Sequence, residues 1–398
     1  MILLVQDSKL NSILYVLGSY FPSQQGGPNN TIHWQAKYLS KNGINVTVAS
    51  FKSGLTKKNI ENYQIKMNVV NNVEGVKALY FDFFKNKYLS LSFYFWMLKN
   101  IKKYDFVQLT SYFFPITWFS AFLCTIYNIP FSIAPRGELE ENALKYNFFL
   151  KKYLHKYLLR FIYKRACFVM VTSQQELDFS RRFFDNEIKF EMVPNFIDLS
   201  KIKPLSESLI ESKRGILYLG RIHPKKGIER LIEAYKNLND NLVKDNPLLI
   251  VGDGDKNYIH KLKNISLIKK KSTHRIFFLG HKEGSEKELL YKQSKIFVLP
   301  SFSENFGNVV LESLSFSTPV IASKYTPWSD LLKYKCGFWV ENTPTKIQNS
   351  LIKILTMKED EYNIYARNSY SLTQEKYSIS KNIHYLISIY ESHMINTK

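Results

Sequence analysis

Cysteine is scarce in this chain: Cys124, Cys167 and Cys336 are the only three in 398 residues. An odd number so widely spaced makes no disulfide framework, and no His or Cys cluster has the spacing of metal ligands, so no metal is expected. A reducing compartment, the cytoplasm, is the expected location. Arginine is scarce too, supplying 10 of the 55 basic residues, while 34 acids leave a net charge of +21. Such a balance calls for an acidic partner to be weighed, whether nucleic acid, a phosphorylated substrate or an anionic lipid surface. Clustered Arg and a nucleic-acid-binding motif are both lacking, which counts against nucleic acid. The abundance of Lys, Asn and Ile is also what an A/T-rich coding sequence gives, so charge alone identifies nothing. Long apolar runs are lacking as well. The first ten residues carry Asp7 and Lys9 and have no apolar core of a secretory signal. No charge occurs between Asp105 and Arg136, yet Pro115, Asn128 and Pro130 leave only residues 116–127 as an unbroken helix, short of the ~20 residues a bilayer needs. That stretch reads as strand, buried helix, strand.

What the chain does have is core material: 45% of residues are apolar and 15% aromatic. At roughly 150 residues per domain the length suggests two domains. The basic excess is even, with 24 basic against 14 acidic residues up to position 198 and 31 against 20 after it. Short apolar runs at 13–18, 44–49, 106–109, 131–134 and 168–172 alternate with helical patterns, the first of these at 31–42. A second series follows at 216–219, 248–251, 276–279, 296–299 and 319–322, separated by helices such as 228–238 and 287–293. Alternation of this kind predicts an α/β fold in which parallel sheets are covered by helices, here two doubly wound domains in tandem. The first spans 1–198, a Pro- and Ser-containing linker 199–213, the second 214–378, and a closing helix at 379–398 is expected to pack back on the N-terminal domain. Ligands of such sheets bind at the carboxyl ends of the strands.

Two segments at those strand ends carry chemistry. In residues 300–312, Pro-Ser-Phe-Ser-Glu-Asn-Phe-Gly-Asn-Val-Val-Leu-Glu, a loop leads from the strand ending at Leu299 into a helix beginning near Gly307. The unpaired N–H groups at a helix start sit at its positive end, and a glycine lets a phosphate approach them. Glu304 in the loop and Glu312 two turns of chain later can point into one crevice, where carboxylates accept hydrogen bonds from sugar hydroxyls. They also fit a capping Glu and an exposed one. In Gly220-Arg221-Ile-His223-Pro224-Lys225-Lys226-Gly227, glycines bracket a cationic loop ahead of a helix. Arg as a bidentate donor and Lys as a point charge can neutralise a diphosphate and stabilise it as it leaves, although a solvated basic loop reads the same way. His223 beside Pro224 points to loop structure rather than acid–base work. Trp328 fits either the wall of a donor pocket or the core.

Taken in order, Gly220-Arg221, Lys225-Lys226-Gly227, Val251-Gly252-Asp253-Gly254 and Glu304-x7-Glu312 within Ser-Glu-Asn-Phe-Gly resemble glycosyltransferase family 4 with the GT-B fold. The resemblance extends to Gly26-Gly27, to 132–137, to Val193-Pro194-Asn195, and to Thr326-Pro327-Trp328-Ser329, which is similar to a subgroup building bacterial surface polysaccharides. It implies two Rossmann-like domains facing a central cleft, the N-terminal one on the acceptor side and the C-terminal one binding a nucleotide sugar. It further implies retaining, metal-independent hexosyl transfer from a nucleotide-diphosphate sugar, UDP or GDP, with no cofactor. By motif match Arg221 and Lys226 bind the diphosphate. Glu304 with Asn305, Phe306, Gly307 and Asn308 holds the donor hexose, Glu312 the ribose, and Gly26, Gly27 and Gly220 approach the donor. No nucleophile is assigned. Arg136 stands where many members carry a catalytic-site His, so that contact is in doubt and Arg136 takes its place among the catalytic candidates. Glu138, Glu140 and Glu141 fit helix-start acids, or one of them an assistant to the acceptor hydroxyl. Residues before Ile13 are extra to the family pattern.

One further feature lies outside these motifs. From Lys145 to Arg165 there are seven cations and no acid among aromatic and aliphatic residues at helical spacing, and 83–103 has a similar flavour. Such a helix either packs its apolar stripe on the sheet or lies on an anionic bilayer. The resembling enzymes use lipid-linked acceptors, so peripheral contact at the inner face of the cell membrane, and an undecaprenyl-diphosphate-linked glycan acceptor in capsule, O-antigen or exopolysaccharide synthesis, are the expectations. An epimerase or phosphorylase of the same fold is the alternative, and a basic nucleic-acid-binding protein the remote one.

Overall fold

The computed structural model describes residues 9–23, 27–83, 90–144, 148–184, 188–268 and 273–394. Gly26, Lys145 and the first eight residues lie outside them. The chain divides into two compact units, Met1–Phe196 with Ile379–Lys398, and Ile197–Ser378.

Unit 1 is built on an eight-stranded sheet. In chain order the strands are β1 (Ser12–Val16), β2 (Asn45–Phe51), β3 (Val70–Val73), β4 (Val76–Phe81), β5 (Phe106–Thr110), β6 (Phe131–Ala134), β7 (Phe168–Val171) and β8 (Lys189–Met192). They lie in the order β3-β4-β2-β1-β5-β6-β7-β8, parallel except for the β3–β4 pair. Alternation feeds two cores from one strand: Ile13 and Tyr15 of β1 enter the cluster on one face, Leu14 and Val16 that on the other. The helix Ile379–Met394 adds Ile383, Leu386 and Tyr390 to the first of these, with the Tyr390 hydroxyl 3.0 Å from that of Tyr15.

Unit 2 carries β9 (Ile216–Leu219), β10 (Leu248–Val251), β11 (Ile276–Gly280), β12 (Ile296–Leu299), β13 (Val320–Ser323) and β14 (Gly337–Val340), all parallel, in the order β11-β10-β9-β12-β13-β14. Strand order reverses between β9 and β12, so the loops leaving these two strands emerge side by side. The same reversal occurs in unit 1 between β1 and β5. Both doubly wound sheets thus place a crevice where the sequence has its glycines and charges.

Four readings change. Residues 199–213 belong to unit 2 and contribute the helix Glu207–Glu211, with Ile210 buried. The helix Pro115–Ile126 is not wholly buried: Phe122 and Ile126 stand exposed on its outer side. The basic aromatic stretch is not one regular α-helix, because a π-helical turn, His155–Leu159, separates Phe148–Leu154 from Arg160–Tyr163. Strands β3, β4, β8 and β14 were missed: β3 and β8 are edge strands with little apolar content, whereas the apolar runs of β4 (VKALYF) and β14 (GFWV) were passed over.

Lys213 is nearly fully buried, and its Nζ donates to the carbonyls of Tyr291 (2.9 Å) and Lys292 (2.7 Å) and to Thr318 Oγ1 (2.6 Å). It closes the C-terminal end of the helix Gly284–Gln293, whose last carbonyls have no partner within the helix. Lys213→Met should therefore cost unit 2 about 2–4 kcal/mol by removing this donor from the Lys292 carbonyl and from Thr318 Oγ1, while Tyr291 O keeps its bond from the Thr318 hydroxyl. Urea unfolding measures it, and a change below about 0.5 kcal/mol would show the bonds to be dispensable.

Candidate active site

The loops after β9 and β12 are stitched together in three ways. Phe302 N donates to Lys225 O at 2.8 Å. Gly227 has φ +64, and a Cβ there would lie 2.2 Å from the Pro300 carbonyl oxygen, so the two backbones touch through an absent side chain. Lys226 Nζ lies 2.5 Å from Glu304 Oε2, with both side chains about one-sixth exposed. Ser301 Oγ donates to the same carboxylate oxygen at 3.2 Å. The Pro300 carbonyl also accepts from Asn342 Nδ2 at 2.7 Å, and the Ser301 carbonyl from Ser323 Oγ at 2.5 Å, which anchors the second loop to the sheet behind it.

The helix Asn308–Ser315 starts directly after this loop. Gly307, at φ +84, is its N-cap and offers no side-chain oxygen to the first amides. A side chain there would crowd Glu304 Cγ (3.1 Å) and Trp328 Nε1 (3.3 Å). Trp328 is fully buried, and its Nε1 donates to Phe306 O at 2.5 Å, so the ring serves the core and the loop at once. Glu312, on the same helix, is held at both oxygens: Lys287 Nζ lies 2.8 Å from Oε1, and the Tyr291 hydroxyl donates to Oε2 at 2.9 Å. Burial and the nearby Glu312 carboxylate push the Tyr291 phenol well above its usual range, keeping it a donor. Lys287 and Tyr291 were not singled out in the sequence. Their four-residue separation on one helix was the available signal.

Arg221 is exposed, and its carbonyl accepts from the buried Tyr218 hydroxyl at 2.9 Å. His223 Nδ1 accepts from Lys225 N at 3.1 Å, opening the 3-10 turn Pro224–Lys226. Partial burial and then the Arg221, Lys225 and Lys226 charges hold its pKa below the usual imidazole value, so it stays a neutral acceptor. Gly220, Arg221, Lys226, Glu304, Gly307 and Glu312 therefore lie along one edge of unit 2. Asn305, Phe306 and Asn308 stand in the same loop and helix start, with Phe306 buried.

In unit 1, Gly27 is the N-cap of the helix Pro28–Lys41. Arg136 follows β6 with φ +53, an unusual conformation for a residue with a side chain, and Gly137 continues it at φ +82. Glu176, buried at the start of the helix Gln174–Ser180, secures that turn: it accepts from Gly137 N (2.7 Å), Thr172 N (2.8 Å) and Thr172 Oγ1 (2.7 Å). Arg136 donates to Asn195 Oδ1 at 2.8 Å. Burial lowers its pKa, opposed by the charge of Glu176. Glu138 is engaged with Ser111 Oγ and Tyr112 N, both at 2.6 Å, and with Phe113 N at 3.0 Å, bonds made across to the β5 loop rather than to its own helix start. No group of three His, Cys, Asp or Glu able to hold a metal occurs among the described residues.

Comparison with known proteins decides the family. The model for glycosyl transferases group 1 matches residues 203–371 and that for glycosyltransferase family 4 matches 25–201, which together leave out only residue 202 and the two ends of the chain. The chain belongs to the family 4 glycosyltransferases. Among curated family relatives it is 34% identical over 133 residues to a glycosyltransferase of Methanocaldococcus jannaschii, 33% of this chain and 32% of that protein. It is 27% identical over 228 residues to the UDP-Gal:alpha-D-GlcNAc-diphosphoundecaprenol alpha-1,3-galactosyltransferase of Escherichia coli, 54% of this chain and 57% of the other. Matches to the first relatives span from 32% to 62% of their length. Among solved structures, sucrose-phosphate synthase from Thermosynechococcus elongatus superposes with a TM-score of 0.73 at 18% identity, covering 96% of this chain and 98% of that one. Anabaena HepE in complex with UDP and glucose superposes at 0.72 and 18%, covering 96% and 99%. At such identity these establish the GT-B fold of the family 4 chain and nothing finer.

Gly227→Ala tests the contact between the two loops. The added methyl meets the Pro300 oxygen, and unit 2 should lose more than about 3 kcal/mol or fail to fold. Gly284→Ala, also at positive φ but facing open space, should cost only about 1–2 kcal/mol. Equal costs in denaturant unfolding would refute the contact.

Proposed function

We propose that this family 4 protein is a retaining glycosyltransferase that moves a hexose from a nucleotide-diphosphate sugar, UDP or GDP, bound on unit 2, to a lipid-linked or polysaccharide acceptor engaged by unit 1. The observation that carries this reading is the Lys226–Glu304 pair beside the start of the helix Asn308–Ser315, whose N-cap is a glycine. A cation, a carboxylate and helix amides within one loop suit a diphosphate next to a sugar ring.

The diphosphate draws Lys226 toward itself, joined by Arg221 and the amides after Gly307. Glu304, released from its ion pair, accepts hydrogen bonds from the hexose, and Glu312 from the ribose, its orientation preset by Lys287 and Tyr291. The anomeric carbon–oxygen bond then breaks with its electron pair leaving on the diphosphate, whose new charge the cations and helix dipole stabilise. The acceptor oxygen bonds to the anomeric carbon on the same face, and its proton passes to the departing phosphate oxygen. This route uses no nucleophile from the protein and no obligatory metal.

The Escherichia coli relative's name and that of a Campylobacter jejuni relative, an N-acetylgalactosaminyltransferase acting on a diphospho-undecaprenol, support an undecaprenyl-diphosphate-linked glycan as acceptor in bacterial surface-polysaccharide synthesis. The exposed face of unit 1 supports a place at the inner surface of the membrane. Phe149 (76% exposed), Phe161 (69%) and Tyr153 (62%) point outward among Lys151, Lys152, Lys156, Arg160, Lys164 and Arg165. Beside them, the helices Leu91–Asn100 and Pro115–Ile126 pack together and present Phe95 (63%) and Phe122 (52%), with Lys99, Lys102 and Lys103 close by in sequence. Aromatic rings with lysines alongside suit an anionic headgroup layer. No helix among the described residues is long and apolar enough to cross a membrane.

Arg221→Ala and Lys226→Ala should each lower kcat by about 100-fold or more with the protein folded, and unchanged turnover in both would refute their role. Glu312→Ala should weaken nucleotide binding by about 1–3 kcal/mol in calorimetry. Co-sedimentation with phosphatidylglycerol vesicles should be strong at low salt and partial at physiological salt; no binding at either sinks the membrane assignment.

A further inference from the structure

Unit 1 contains a cavity of about 370 Å³ at the point where its strand order reverses, fed by the ends of β1, β2, β5 and β6. Its lining has two characters. Leu17, Ile32, Phe51, Phe83 and Phe114 form an apolar wall. Thr110, Ser111, Arg136 and Glu138 form a polar floor, and Ser19, Asn29 and Ser53 add polar groups to the lining. Two of these floor residues carry a buried polar atom with no partner, Oγ1 of Thr110 and Nε of Arg136, which is the signature of a site awaiting a hydrogen-bonding ligand. The Ser111 hydroxyl, at φ +87, spends its proton on Glu138 Oε1 at 2.6 Å. Only lone pairs remain on that oxygen, so it can accept from a ligand hydroxyl and cannot donate. Glu138, tied at its other oxygen to two backbone amides, keeps Ser111 in this state.

Acceptors at Ser111 and N–H donors at Arg136 are complementary to a hydroxyl-bearing ring. The volume lies near the small end of the ~300–1,000 Å³ typical of ligand sites, enough for one substituted ring. A plain hexose would set hydroxyls against three phenyl rings and two aliphatic chains, where they find no partner. A sugar bearing the methyl of an acetamido group or of a 6-deoxy carbon satisfies both halves of the lining. We propose that this cavity takes the terminal sugar of the acceptor and selects one with such an apolar substituent, Phe114 and Phe83 contacting the methyl and Ser111 and Arg136 the hydroxyls. This rests on the assignment of unit 1 to the acceptor.

Saturation-transfer NMR on the full chain, with UDP present, tests it with the methyl glycosides of N-acetylglucosamine, N-acetylgalactosamine and fucose against those of glucose and galactose. At least one of the first three should bind about 10-fold more tightly than either hexose, with its methyl protons most strongly saturated. Phe114→Leu and Phe83→Leu should erode that preference with Tm and UDP affinity unchanged, and Ser111→Ala should weaken every glycoside with UDP affinity unchanged. Equal binding of all five, or binding by none, overturns the proposal. Farnesyl phosphate displacing the sugars without any sugar preference overturns it too, in favour of a lipid-chain site. Loss of UDP binding with the sugar preference intact supports this proposal and counts against the donor assignment on unit 2.

Discussion

The site on unit 2 depends on one steric constraint, the contact of Gly227 with the Pro300 carbonyl. Strands β9 and β12 are neighbours, so their loops leave the sheet about one strand spacing apart, and two ordinary loops with side chains would splay. A glycine at positive φ removes the Cβ that would collide and lets the first loop fold down onto the second. Only then can Lys226 reach Glu304, and only then do the cationic turn and the start of the helix Asn308–Ser315 share one edge. The Lys225 carbonyl, the Asn342 amide and the Ser323 hydroxyl fix this approach through hydrogen bonds that carry no chemistry of their own.

Unit 1 solves the matching problem with carboxylates. Its β5 and β6 loops contain Ser111, Arg136 and Gly137 at positive φ, conformations that cost free energy for the first two and persist only where the surroundings overdetermine them. Glu138 bonds across to 111–113, and Glu176 across to Gly137 and Thr172, so two acids bridge loops that the sheet alone leaves unconnected. Burial raises the pKa of Glu176, while the hydrogen bonds to its two oxygens and the Arg136 charge oppose that shift. Glu138, which fits a helix-start acid in the sequence, is thereby a tie between loops.

This marks the boundary of what the sequence could disclose. The ten strands read from apolar runs are all present; nine are buried along most of their length, where a parallel sheet covered on both faces demands continuous apolar residues, and the tenth, β11, is an apolar edge strand that stands partly exposed. Strands such as Val70–Val73 and Lys189–Met192 obey no such rule and leave no run to detect. Arg221, Lys226, Glu304 and Glu312 stand out in the sequence because a diphosphate sugar would call for those residue types at strand ends, and the structure brings Lys226 to Glu304 and sets Glu312 on the helix that follows. Their partners were not legible. Lys287 and Tyr291 lie on another helix, and nothing in a linear pattern says that both oxygens of Glu312 are already engaged. The helix at residues 116–127 was read as buried because it lacks charge, and absence of charge does not distinguish a core from an exposed apolar face. Phe122 and Ile126 belong to the second kind.

The net charge of +21 is the same kind of lesson at larger scale. Spread evenly over both halves, it selects no partner, since nucleic acid, nucleotide sugar and anionic lipid all attract lysine. What discriminates is the group beside each cation. Lys226 is paired with a carboxylate at a helix start, an arrangement a diphosphate can enter by exchanging one anion for another. Lys156 stands by the ring of an exposed tyrosine, 5.0 Å from its centroid, on a face with no acid in reach of sequence. A polyanion read through its phosphates alone would need cations without either neighbour, set in a continuous track. Aromatic rings that are bare at more than half their surface instead suit a partner with both phosphate and hydrocarbon within a few ångströms of each other, and it is this pairing that supports the proposed bilayer headgroup over a polyanion.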